Sequence, residues 1–175
     1  MISIELQLCD IQGRLFKLSV QRGINSAEFI KVFMKSNTAK ALDSTYNRMQ
    51  WVGEEYLLEE VVDEAGDRFE KPGEVYAEEL IYWIGYIYRY WHYVTGKSSK
   101  EIYKQAPIKV MKQNYERLYM MTPEEIISIL EISNTNEIPL KTPRFYEKVE
   151  TGRCKFCDYH MLEGSLLYSR CVKWN

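Results

Sequence analysis

Apolar residues fall on alternate positions at the start of the chain. Ile2, Ile4, Leu6 and Leu8 form one such run, and Phe16, Leu18 and Val20 resume it after Ile11-Gln-Gly-Arg14. A period of two marks a half-buried strand, and a glycine-containing break between two such runs reads as a hairpin. The pattern predicts an N-terminal β-hairpin with one face to be covered by helices. The period then changes. Asn25 and Ser26 supply an N-cap, Glu28 falls in the first turn, and Phe29, Ile30, Phe33 and Met34 lie at helical spacing to about Ser36. A second helix is expected from near Ser44, with Met49, Val52, Tyr56, Leu57 and Val61 along its apolar stripe and Leu58 and Val62 on the flank. Gly66, Pro72 and Gly73 mark the loop that follows.

The run from Leu80 to Val94 holds seven of the chain's 18 tyrosine and tryptophan residues. Read as a helix from about Glu74 to Thr95, it is apolar or aromatic on almost every face, which predicts a central helix surrounded by protein. Gly96 suits the position just past its end. Ser98 or Ser99 caps a short helix through Gln105, and Pro107 opens another to about Met121. Thr122-Pro-Glu-Glu125 gives a cap, a first-turn proline and acidic residues in order, starting a last helix through Ile132. The expected fold class is mainly α (α+β): a β-hairpin packed on about six helices around the aromatic one. Residues 137–175 differ in kind, with Pro139, Pro143, Gly152 and Gly164 breaking up short runs. The expected domain division is 1–135 and a small irregular or β-rich appendage, 136–175.

Composition narrows the class. At 175 residues and 46% hydrophobic content the chain can bury a real core. Its longest apolar stretch is interrupted by Arg89 and His92, short of the roughly 20 apolar residues a bilayer span needs. The N-terminus has neither a basic segment nor an apolar one, so no signal peptide and a cytoplasmic location are expected. Net charge is −2, yet residues 54–79 hold eleven acidic residues against Arg68 and Lys71. A solvated helix face is the simpler account of such a run; a docking patch for a basic partner is the alternative. Glu55, Glu59, Glu60, Asp63 and Glu64 are its candidate partner-binding residues.

Four groupings could carry chemistry. Cys154-Lys-Phe-Cys157, with His160 and Cys171 behind it, has a zinc knuckle's first spacing but no paired second half. Reduced cysteines in a small element are preferred, and no cofactor is required; a redox pair lacks its βαβ context. Glu54-Glu55 and Glu79 resemble in part the carboxylates with which all-α nucleotide pyrophosphohydrolases hold magnesium. Leu58 and Tyr82 stand where two further ligands belong. Tyr86, Arg89, Tyr90 and His92 on the aromatic helix form a candidate pocket. Arg89 requires either an acidic partner, expected from residues 54–64, or a ligand. Finally, Lys97, Lys100, Lys104, Lys109, Lys112 and Arg117 flank a bend at Ala106-Pro107, which would bring Lys109, Lys112, Gln113 and Asn114 to a nucleic-acid groove. The acidic whole-chain balance argues against that use.

Residues 46–130 also carry a resemblance. Tyr46-Asn-Arg-Met-Gln-Trp-Val-Gly-Glu-Glu-Tyr, Tyr82-Trp-Ile-Gly-Tyr-Ile-Tyr-Arg-Tyr-Trp-His-Tyr, Ser98-Ser-Lys-Glu-Ile-Tyr and Met121-Thr-Pro-Glu-Glu are similar to segments of small helical bacterial proteins from toxin–antitoxin-type gene clusters. Their presumed toxins are ADP-ribosyltransferase-like. The resemblance implies an antitoxin-like, non-enzymatic role: binding and neutralising a protein partner, with the acidic segment as docking surface. The alternatives are metal-dependent nucleotide hydrolysis and zinc-supported nucleic-acid binding.

Overall fold

The computed structural model describes residues 3–132, which lie in the first of two compact units, Met1–Thr135. The expected appendage and its cysteines lie outside the described residues. Among the described residues eight α-helices follow one another: α1 (Ser3–Gln21), α2 (Ser26–Phe33), α3 (Asn37–Asp43), α4 (Glu54–Ala65), α5 (Glu78–Thr95), α6 (Ser99–Gln105), α7 (Ile108–Leu118) and α8 (Pro123–Ile132). Short 3-10 turns at Arg48–Trp51 and Gly66–Phe69 flank α4.

The β-hairpin is not there; among the described residues no strand occurs, and residues 3–21 are one unbroken helix. The buried positions of α1 are Leu8, Cys9, Gln12, Leu15, Phe16 and Ser19, spaced by three and four. Two of them are polar, which hid the helical period, while Leu6 on the outer side is 42% exposed and supplied a false alternation. Gln12 is accommodated because its amide donates to the Gly85 carbonyl at 2.9 Å, and Ser19 because its hydroxyl donates to Phe16 O at 2.7 Å.

The glycine read as a turn is a helix-crossing residue instead. α1 and α5 run antiparallel: Lys17 meets Glu78 at the start of α5, while Gln12 meets Arg89 two-thirds of the way along it. They touch at Gly13 and Gly85. A Cβ on Gly85 would lie 2.7 Å from Gln12 O and 3.1 Å from Gly13 Cα, so a side chain there could not be admitted without moving backbone. Small residues at a crossing let two helices approach this closely.

α5 is surrounded. Leu80, Ile81, Ile84, Ile87, Tyr88 and Trp91 are buried against α1 and the α6–α8 side, and Gly96 ends the helix at φ +70°. It begins at Glu78 rather than near Glu74, because residues 74–76 are held extended over α2: Ser26 N–H donates to Glu74 O and Tyr76 N–H to Ser26 Oγ, both at 3.0 Å. Beneath α1, Phe16 sits edge-on to Phe29 and Phe33 at 5.4 and 5.0 Å. The helix expected from Ser44 also starts later. Ser44 closes α3, Asn47 and Gln50 cap the 3-10 turn reciprocally, and Gly53 precedes α4. Such side-chain bonds to nearby backbone compete with helix. None of the described helices is long and apolar enough to cross a membrane.

Gly85→Ala tests the crossing. Overpacking costs about 1–3 kcal/mol, against a helix-propensity gain of about 1. The clash is with backbone, so urea denaturation is expected to show a net loss near the upper end, and a midpoint at or above wild type would refute the close approach.

Candidate functional site

Arg89 lies on α5 at 1% exposure, and its charge must be met inside the protein. The acid is Asp43, at the end of α3, rather than any residue of 54–64. Arg89 Nη1 donates to Asp43 Oδ1 at 2.8 Å, Nε to Gln12 Oε1 at 2.8 Å and Nη2 to Ser99 Oγ at 3.4 Å. Asp43 also accepts from Ser99 N–H and Oγ–H, both at 2.7 Å. Four helices, α1, α3, α5 and α6, thus converge on one guanidinium.

A cavity of about 350 Å³ opens beside this network, between the first turns of α1, the end of α3, the 44–51 segment and the last turn of α5. Its inner wall includes Glu5, Leu8, Asp43, Gln50, His92 and Tyr93. Tyr46 and Trp51 form its rim, 93% and 75% exposed. His92 Nδ1 is 2.8 Å from Lys97 O. A carbonyl only accepts, so Nδ1 carries a hydrogen, and in the neutral form of the ring the lone pair is on Nε2. The Tyr93 hydroxyl is buried without a hydrogen-bond partner. Burial pushes its pKa up. Tyr93 was not among the sequence-derived candidates; an orphaned hydroxyl is a tertiary property with no sequence signal.

The expected pocket divides: Arg89 and His92 stand together beside Asp43, and Tyr86 and Tyr90 do not join them. Tyr86 stacks between Tyr82 and Tyr90, ring centres 6.2 and 6.1 Å apart, on a different stripe of α5. The ends of that row are tied to Asp10 on α1 and Glu124 on α8. Burial first, and the hydrogen bond to Asp10 second, push the Tyr82 pKa up. Burial likewise raises the Cys9 thiol to about 12, leaving it an inert core group.

The acidic candidates divide. Glu55, Glu59 and Asp63 are exposed on the outward face of α4, Glu60 is half-buried, and none of the four is in an ion pair among the described residues. Tyr56 and Val62, 43% and 37% exposed, share that face. Glu64 is committed elsewhere. It caps α3, accepting from Asn37 N–H at 2.7 Å and from Thr38 N–H and Oγ1–H at 2.8 and 2.6 Å. Burial pushes its pKa up, but these bonds outweigh burial and hold it below the ordinary value.

Glu54, Glu55 and Glu79 do line one cleft, of about 570 Å³, with Asp10, Arg14 and Lys17. Arg14 bridges Asp10 and Glu54 at 3.0 and 2.9 Å, and Lys17 pairs with Glu78 at 2.8 Å. Among the described residues, no group of three or more His, Cys, Asp or Glu is placed to hold a metal. On α7, Lys109 and Gln113 are exposed, but Lys112 is paired with Glu74 at 2.7 Å, and Asn114 donates to Val110 O of its own helix. The zinc candidates Cys154, Cys157, His160 and Cys171 lie outside the described residues. No protein-family model matches the chain, and no curated protein or solved structure matches it either.

Arg89→Met strands Asp43 and is expected to cost about 3–5 kcal/mol in chemical denaturation, as removal of one partner of a buried pair does. A loss under about 1 kcal/mol would show that the network is not structural. Glu64→Gln tests the cap by pH. A carboxylate with a depressed folded pKa stabilises above its ordinary value of 4.5 and stops doing so as pH falls through the folded one. The variant is therefore expected to be less stable by about 1 kcal/mol at neutral pH and to converge with wild type on acidification. A pH-independent difference would contradict the assignment.

Proposed function

We propose that this chain is a non-enzymatic module that docks on a partner protein through the outward face of α4 and the aromatic segment before it. The partner class suggested by the resemblance is an ADP-ribosyltransferase-like toxin, which the chain would neutralise as an antitoxin does. A cytoplasmic setting goes with this reading.

One observation carries it. The α4 face presents Glu55, Glu59 and Asp63, which form no ion pair among the described residues, interleaved with exposed Tyr56 and Val62, and it follows directly on Trp51 and Tyr46. Exposed tryptophan and tyrosine are the side chains most enriched where interfaces concentrate their energy. Unpaired carboxylates around them steer a basic partner and set the salt dependence of association. A merely solvated face needs the acids but not the aromatics. Hydrolysis by Glu54, Glu55 and Glu79 draws support from their shared cleft and loses it to Arg14, which engages Glu54.

The test uses the protein encoded by the neighbouring gene, co-expressed and purified with this chain. Trp51→Ala is expected to weaken the complex by about 2 kcal/mol, roughly 30-fold. Glu59→Lys with Asp63→Lys is expected to slow association and flatten its dependence on salt. Wild-type affinity in both variants, or nucleotide turnover abolished by Glu55→Gln, would overturn the reading.

A further inference from the structure

We infer that the cavity between the 44–51 segment and the last turn of α5 receives a guanidinium group, the anchoring arginine of the partner protein. This rests on the docking reading above and names the contact at its aromatic end.

The chemistry of the wall selects the ligand. The donors of Gln50, Ser44 and His92 are already used within the chain. The Gln50 amide N–H groups go to Leu42 O and Ser44 O at 3.3 and 2.6 Å, the Ser44 hydroxyl to Ala41 O at 2.6 Å, and His92 Nδ1–H to Lys97 O at 2.8 Å. Acceptors remain. In the neutral ring His92 Nε2 has a lone pair, and Asp43 uses three of about four acceptor sites on Arg89 and Ser99. Glu5 and Asp43 line the cavity, and among the described residues no lysine or arginine does. The charge of Arg89 is spent behind the wall on Asp43 and Gln12. Tyr93 belongs to the same wall, and among the described residues its hydroxyl is the buried side-chain group without a partner. Such groups mark places where a further polar contact is missing.

Rim and size point the same way. Tyr46 and Trp51 stand exposed at the mouth, and a planar cation stacks on aromatic rings better than any neutral group. At about 350 Å³ the cavity falls at the small end of ligand pockets, roomy for one long side chain and its hydration. A planar, five-donor cation satisfies an acceptor-lined, aromatic-rimmed site; an ammonium matches the charge but not the stacking.

The test is run on the full chain alone by two-dimensional NMR, with N-acetyl-arginine methylamide as probe and its citrulline and lysine counterparts as controls. Expected are saturable shifts at the Trp51 indole and the His92 ring, with a dissociation constant on the order of 1 mM. The uncharged citrulline probe should bind at least tenfold more weakly, and the lysine probe should fall between. Trp51→Ala, an exposed position, should weaken the arginine probe about tenfold without altering the fold. Equal shifts for arginine and citrulline, or no shift at the cavity residues at about 50 mM probe, would overturn the assignment. If the probe fails while the partner still binds through α4, only the arginine contact falls. If the partner fails while the probe saturates the cavity, the docking reading falls and the site belongs to a free guanidinium compound.

Discussion

A guanidinium sealed inside a small helical protein is the constraint on which the architecture hangs. Arginine does not give up its proton, so Arg89 can be buried only if acceptors are brought to it. They come from far along the chain: Gln12 on α1, Asp43 at the end of α3 and Ser99 at the start of α6. α1 gets close enough to contribute because Gly13 and Gly85 remove side chains where it crosses α5. The glycine contact and the arginine network are one device. The first sets the spacing of two helices, and the second fixes their register and recruits two more.

The functional features follow from where Asp43 must be. Holding the end of α3 against Arg89 and the α6 cap prevents that helix from running on into α4. The chain between them is tied down by the bonds of Asn47 and Gln50 to nearby backbone. That short, over-determined segment lifts Tyr46 and Trp51 into solvent and leaves a cavity behind them against Tyr93 and His92. α4 then starts at Glu54 with its buried stripe of Leu57, Leu58, Val61 and Ala65 turned inward. Glu55, Glu59 and Asp63 are thereby turned outward, while Glu54 pairs with Arg14 and Glu64 is spent on the N-terminus of α3.

The sequence pattern misled where buried positions were not apolar. Gln12 and Ser19 interrupt the inward stripe of α1, and the outward Leu6 fills the gap with an alternation that has no strand behind it. The same error moved Gly13 from a helix crossing to a turn. At Ser44 the pattern misleads differently: the apolar stripe crosses residues whose side chains cap the backbone locally, and the helix begins about ten positions later, at Glu54. Around Arg89 the need for an acid was legible, but the run with most acids was not the one that supplied it.

What the amino-acid order settled by itself is local. The aromatic helix, the cap at Asn25, the box of Ser98 with Glu101 and the start at Thr122 depend on residues within a turn of one another, and each is present. So is the exposure of the acids on α4, which follows from the helical period. What only the tertiary structure decided is non-local. Which carboxylate meets Arg89, where α1 touches α5, which aromatic hydroxyl is left without a partner and that a cavity lies behind Trp51 all depend on residues tens of positions apart. Their distances are set by helix packing, and helix packing is a property of the assembled surfaces that no window along the chain contains.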